Sequence, residues 1–317
     1  MKSLSSNTVI KAILFIFVIG LSATSCKKEH NKGPKSIYGT ISNDPNYSFL
    51  TAAVNKAGLV SALNDGDKSS LTLFAPSNDA FIAAGFKTPT DLAGIPDTTL
   101  KAILLYHVLG SKVEAAQIPQ ASNTAVATLN GQPAYATRTI DGKVYINGVS
   151  VIKANIECTN GVIHDINRVL IPAMGTIVQT AISNPNFSLL VAAVLRASQG
   201  TTNVATVLSG AGPFTVFAPT NLAFINAGFA DAAAINAADP NTLTSILTYH
   251  VIAGRIFSSD LTNGATPATV NGGKVTITLT SGAKVKGNGN ATPSNIIATD
   301  IVTTNGVIHV IDQVLLP

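Results

Sequence analysis

The chain has 317 residues, of which 46% are hydrophobic and only 11% charged, with a formal net charge of +4. So little charge excludes a disordered acidic or basic tail protein, and with it a heptad-rich coiled coil. The length points to two domains, and without Lys2 and Lys11, which lie in a segment read below as removed, 18 basic residues face 16 acidic ones, too even a balance for a nucleic-acid partner.

Residues 12–21 (AILFIFVIGL) form an uninterrupted apolar run. It is too short to span a bilayer as a helix and fits the apolar region of a signal peptide over residues 1–25. Small residues at 22–25 lead to Cys26, and this LSATSC stretch resembles a bacterial lipobox, whose cysteine is diacylated and becomes the mature N-terminus. The alternative is a plain secretory signal cut near Ala23 to Ser25. Acyl chains on Cys26, at about 0.8 kcal/mol per buried CH2, imply a membrane anchor, with residues 26–35 as the tether. Lys27-Lys28-Glu29 looks like the charged export signal of surface lipoproteins, so an outer-membrane lipoprotein at the cell surface is expected. With Cys26 lipidated, Cys158 is alone, which leaves no disulfide framework and no cysteine metal site. Cys158 reads as a small buried residue in an alternating apolar run.

Next in order, Phe49, Leu50, Ala53, Val54 and Ala57 recur at helical spacing up to Gly58. Thr72-Leu73-Phe74-Ala75 reads as a short strand ended by Pro76, with Ser77 or Asn78 capping a helix that runs to Gly85. Leu100, Ile103, Leu104 and His107 form another helical stripe. Beyond it, apolar and polar residues alternate between turn signals at Asn130-Gly131, Asp141-Gly142 and Asn160-Gly161, a pattern of hairpins.

The same unit then begins again. Phe74-Ala75-Pro76-Ser77-Asn78 returns as Phe217-Ala218-Pro219-Thr220-Asn221, and Tyr106-His107-Val108 as Tyr249-His250-Val251, each 143 residues on. Asn160-Gly161-Val162-Ile163-His164 returns as Asn305-Gly306-Val307-Ile308-His309 after 145, and Pro45-Asn46-Tyr47-Ser48 as Pro185-Asn186-Phe187-Ser188 after 140. A period of this size means two tandem domains, over 36–172 and 173–317, and not solenoid repeats. Helices followed by antiparallel hairpins in each make an α+β fold.

At these anchors the chain resembles the fasciclin (FAS1) domain family. The stretches from Thr72 to Phe81 and from Thr215 to Phe224 look like the family's first signature block, and those from Asn160 to Leu170 and from Asn305 to Leu315 like its second. Tyr106-His107 and Tyr249-His250 look like the Tyr-His pair between the blocks. The resemblance covers residues 36–317 and implies a wedge-shaped β-sandwich with helices on one side. It further implies extracellular adhesion or protein interaction, without catalysis and without a cofactor. Leu222 departs from the acidic residue found at Asp79, so the helix after Thr220 is expected to be capped less well.

Four of the five histidines are duplicated. His164 and His309 alternate with Val162 and Ile166, and with Val307 and Ile311, so they read as core histidines bonded to backbone; a metal site of His164 with Asp165 is the weaker alternative. His107 and His250 read either as packed histidines at a helix end or, as the resemblance implies for Tyr106, His107, Tyr249 and His250, as candidate binding residues at a partner contact. The sequence holds no Gly-x-Ser-x-Gly elbow, and Gly287-Asn288-Gly289-Asn290 reads as a turn among strands and not a phosphate loop. The expected function is therefore a surface-anchored adhesion or interaction protein binding an extracellular protein or polysaccharide. The alternative is a periplasmic or surface glycan-binding protein or hydrolase; a composition with no Trp argues against a sugar-stacking platform, with Tyr135 and Tyr145 as the candidate exceptions.

Overall fold

The apolar stripe after Asn46 is realised as a helix whose buried residues are Phe49, Leu50, Ala53 and Val54, and the chain leaves it through Gly58 at φ 68°. The structure is a computed structural model that describes residues 35–64 and 70–317; Cys26, the signal peptide and nearly all of the tether lie outside them. In the first copy α1 (Ile37–Ser42), α2 (Ser48–Lys56) and α3 (Val60–Asn64) precede β1 (Leu71–Pro76), α4 (Asn78–Ala83) and α5 (Asp97–Tyr106). The strands β2 (Val108–Leu109), β3 (Thr124–Ala127), β4 (Pro133–Arg138), β5 (Val144–Ile146), β6 (Val149–Cys158) and β7 (Gly161–Ile166) follow.

The second copy repeats this with α6 (Ile177–Ile182), α7 (Ser188–Ala197), α8 (Val204–Ser209), β8 (Phe214–Pro219), α9 (Asn221–Asn226), α10 (Ala232–Ala237) and α11 (Pro240–Tyr249). It ends in β9 (Val251–Ala253), β10 (Val275–Thr278), β11 (Lys284–Gly287), β12 (Ser294–Thr303) and β13 (Gly306–Ile311). Among the described residues no helix is long and apolar enough to cross a membrane.

Each copy carries one sheet, ordered β2-β1-β7-β6-β5-β4-β3 in the first and β10-β11-β12-β13-β8-β9 in the second. All neighbours are antiparallel except the central pairs β1–β7 and β8–β13, which join the first and last strands of each copy in parallel. Both faces of these central strands are covered, so β1 is buried at every position, as parallel strands require. Leu73 points into the helix layer with Leu50, Leu100 and Leu104. Its neighbour Phe74 points the other way, into a second core with Ala134, Ile146 and Ile166. That second core exists because the sheet curls: the long β6 is bulged between Val151 and Ile156, and an isolated bridge from Leu109 to Thr128 brings the two sheet ends together.

Glycine is obligatory at the turn into the last strand. A Cβ on Gly161 would lie 2.0 Å from the Leu71 carbonyl oxygen, and one on Gly306 would lie 2.1 Å from that of Phe214. The preceding Asn160 does more than turn the chain, as its side chain accepts the Ile37 N–H at 2.8 Å and donates to the Leu63 carbonyl at 3.0 Å; Asn305 makes the matching bonds to Ile177 and Leu208.

One expectation needs correction, and one turn had no expectation attached to it. The helix after Thr220 is capped as well as its partner: Thr220 accepts from the Ala223 N–H at 3.2 Å and Ser77 from that of Ala80 at 3.3 Å, because the hydroxyl makes the cap and Asp79 takes no part in that bond. Second, Asn147-Gly148, at φ 49° and 76°, forms the tight turn between β5 and β6, although it was not among the turn signals read from the sequence.

Candidate functional site

Each Tyr-His pair sits where the helix layer, the curled sheet and the end of the copy meet. His107 is the residue at which α5 stops, and its Nδ1–H donates to the Ile103 carbonyl at 2.8 Å while Nε2 accepts the Leu170 N–H at 2.9 Å. His250 does the same with Ile246 at 2.8 Å and Leu315 at 2.8 Å. Both rings are thus held as the neutral Nδ1–H tautomer with neither nitrogen spare. Burial pushes both pKa values down to about 4. The Tyr106 hydroxyl donates to the Pro133 carbonyl at 3.1 Å and accepts from the Asn147 amide at 2.9 Å; burial raises its pKa to about 12. Tyr249 donates to the Lys274 carbonyl and accepts the Asn288 N–H at 3.0 Å.

Tyr106, His107 and Tyr249 are 0% exposed and His250 2%. The candidate binding residues therefore offer no side-chain surface to a partner: α5 and α11 turn their ends inward, and the segment after the last strand covers them. Of the two readings of these histidines, packing at a helix end describes the structure, through N–H donation and not through positive charge. His164 and His309 are buried too, with the opposite tautomer. Their Nε2–H donates to Val113 at 2.8 Å and Ile256 at 2.9 Å, and Nδ1 accepts from Asn155 at 3.2 Å and Asp300 at 3.3 Å. With both nitrogens engaged by backbone, neither ring has a lone pair left for a metal or a proton to be relayed. Cys158 is buried, and burial raises its thiol pKa.

Several polar groups that are not duplicated gather where the copies touch. Asn155 and Asp300 occupy matching bulges at φ 58° and 65°, and each side chain accepts a backbone N–H, from Ala115 and Ser258. Only Asp300 carries charge, and its Oδ2 meets Arg168 Nη2 of the first copy at 2.7 Å while only 2% exposed. Arg168 also donates to Thr299 Oγ1 at 3.2 Å. Nearby, the Asn123 amide donates to the Arg255 carbonyl at 2.7 Å and to Asp260 Oδ2 at 3.0 Å. The Arg255 guanidinium lies 4.2 Å from the Tyr135 ring centroid, and Phe257 is 6.0 Å from it on centroids. Tyr135, a candidate sugar-stacking ring, is thereby occupied within the molecule. Gly148 approaches so closely that a Cβ there would lie 2.7 Å from the Asp300 carboxyl. A cleft of about 290 Å³ runs beside this contact, lined by Arg168, Ile171, Thr180, Thr299 and Asp300 among others.

Comparison with known proteins bears on both copies. The fasciclin domain model matches residues 45–172 and again 185–317. The uncharacterized protein sll1735 of Synechocystis sp. is 43% identical over 143 residues, which is 45% of this chain and 98% of that protein. Human periostin is 30% identical over 256 residues, 79% of this chain but 29% of the longer protein. A solved FAS1 domain pair from the insect cell adhesion molecule Fasciclin I aligns over 85% of this chain and 96% of its own, at 20% identity and a TM-score of 0.41.

Proposed function

Since the chain belongs to the fasciclin domain family, with two tandem domains of that type, we propose that it is an exported, non-enzymatic interaction module. In this reading lipid on Cys26 holds it to the outer membrane at the cell surface, and the two domains, over 36–172 and 173–317, meet an extracellular protein or polysaccharide. The observation that carries the proposal is the contact between the copies. Arg168 with Asp300, Asn123 with Arg255 and Asp260, and Tyr135 with Arg255 tie the first domain to the second through side chains that the repeat does not duplicate. A pair fixed in this way presents two outward faces at a constant spacing, so one partner surface can engage both and gain from effective concentration. The Tyr-His pairs act as positioning residues, holding helix ends to the sheet beneath those faces. Chemistry on a substrate finds no support in the four duplicated histidines, whose nitrogens are all committed to backbone.

The test is binding of the detergent-solubilised chain to intact cells and to a polysaccharide panel, beside a variant carrying Arg168→Gln and Asp300→Asn. Binding by the parent that weakens roughly 10-fold or more in this variant, whose inter-domain ion pair is gone, is the expected result. Absence of binding to every surface offered sinks the module reading, and equal binding by both proteins sinks the role given to the contact.

A further inference from the structure

The two domains part company most sharply at one open cleft of the first, of about 300 Å³, lined by Asp44, Tyr47, Asp79, Ile152, Lys153 and Asp165 with the turn residues between them. The register of the strands and the repeated motifs place Asn184, Phe187, Leu222, Ile297, Ala298 and Val310 at the same positions of the second domain. Every ionisable group of the cleft has thus been replaced, while the fold around it is unchanged.

The scaffold does not need these groups. Asp44 accepts the Asn46 N–H at 2.9 Å, and the neutral Asn184 accepts that of Asn186 at 3.0 Å. The caps made by Ser77 and Thr220 are alike whether Asp79 or Leu222 follows. Phe187 fills the place of Tyr47 at 1% exposure against 4%. A hydroxyl and three carboxylates are therefore surplus to folding in the first domain.

Two of them also lack partners. Tyr47 is almost wholly buried yet lines the cleft, and its hydroxyl bonds to no described residue, whereas those of Tyr38, Tyr106 and Tyr249 each donate. Asp165 Oδ1 is covered and has no hydrogen-bond partner. Burial, with Asp44 adding to it and Lys153 and the Ile166 backbone N–H opposing, pushes the Asp165 carboxyl up to about 6. The Asp165 carboxylate and the Tyr47 hydroxyl both line the cleft and can accept, and three carboxylates face one lysine, so the cleft asks for positive charge that carries N–H donors. Among the described residues there is no group of ligands that could hold a metal ion. A guanidinium satisfies all of this, since its planar fork spans two acceptors and its aliphatic stem can lie along Ile152, which is 55% exposed.

We propose that this cleft is the docking site for an arginine side chain of a protein partner, whose guanidinium donates to the cleft-facing side of the Asp165 carboxylate and to the Tyr47 hydroxyl oxygen while Asp44 and Asp79 supply the surrounding negative field. The proposal rests on the reading of the chain as an interaction module and narrows it to one domain and one partner chemistry.

The test titrates the full chain, in detergent, with a short peptide containing one arginine, and follows the backbone amide resonances. The controls are the same peptide with citrulline, which keeps the shape and removes the charge, and a methyl glycoside. Expected are shifts confined to residues 44–47, 77–79, 152–153 and 165, absent with citrulline, and an affinity that falls about 10-fold or more in Tyr47→Phe and in Asp165→Val. Both substitutions install the second domain's residue, so both are expected to fold; if Asp165→Val does not, Tyr47→Phe decides alone. Shifts elsewhere, equal shifts with citrulline, a response to the glycoside alone, or variants that bind like the parent overturn the proposal. Failure here with cell binding intact sinks the cleft and leaves the module, while loss of cell binding sinks the module itself.

Discussion

Asp300→Asn is the substitution that asks most directly whether the two domains are docked in solution. The change is mild locally. Asn155 already occupies the matching bulge of the first domain at φ 58°, with its side-chain oxygen on a backbone N–H at 2.9 Å, so an asparagine at 300 can keep φ 65° and the bond to Ser258. What disappears is the 2.7 Å charge-assisted bond from Arg168, together with the acceptor that Oδ2 offers the Ser258 hydroxyl, a local loss that cancels in the cycle below. Two unit charges about 4 Å apart attract by about 4 kcal/mol at an effective dielectric of 20. Asp300 is shielded at 2% exposure, but Arg168 is 39% exposed and keeps part of its hydration, so the net contribution falls to about 1–2 kcal/mol. Urea denaturation of the parent, Asp300→Asn, Arg168→Gln and the double variant forms a cycle, and a coupling of about 1 kcal/mol is expected. Because the two groups belong to different domains, coupling can arise only if those domains remain in contact. Additivity within about 0.3 kcal/mol would falsify the docking argument.

Other outcomes follow from the same structure. His107 and His250 have folded pKa values near 4, below the usual 6.5, so the unfolded chain takes up protons first as the pH falls. Their stabilisation is complete above pH 6.5 and declines from there towards pH 4, by about 2 kcal/mol per histidine at pH 5. Asp165, raised to about 6, acts in the opposite direction over part of that window. Urea midpoints at pH 7.5 and pH 5 measure the balance, and a midpoint that rises on acidification contradicts the burial argument. Gly148→Ala places a Cβ 2.7 Å from the Asp300 carboxyl at φ 76° and should cost about 1–3 kcal/mol, with faster proteolysis between the domains; an unchanged melt refutes the close approach. Phe74→Ala and Phe217→Ala, at 1% and 0% exposure, should each cost about 3–5 kcal/mol, and a variant that melts within a degree or two of the parent would remove that residue from the core.

The duplication made most of the scaffold readable in advance. Local signals such as the Ser77 cap, the Pro76 strand end and the stripe of Leu100 and Leu104 act over a few residues, and each appears twice, which separates them from accident. The exposure of the Tyr-His pairs was not readable. The helical stripe places His107 on the packed side of α5, but whether its other nitrogen meets water or protein depends on Leu170, 63 residues later. The contact between domains was hidden for a related reason. Arg168 and Asp300 stand 132 residues apart, and the signal lies in mismatches between the copies, of Arg168 with Gln313 inside the second repeated block and of Asn155 with Asp300 outside it. The same subtraction of one copy from the other isolates Tyr47 and Asp165, which a search for shared motifs passes over.

The parallel pairing of first and last strands has a bearing on synthesis. In each domain β1 or β8 emerges from the ribosome early and must wait for β7 or β13, some 90 residues on, before its central hydrogen bonds can form. During that interval the edge that will receive the last strand is open, and β7 and β13 begin with the same four residues as they leave the Asn-Gly turns, so their starts are interchangeable. Order of translation guards against this exchange. By the time β13 is made, the place beside β1 has long been taken by β7, and the vacant parallel partner left for it is β8.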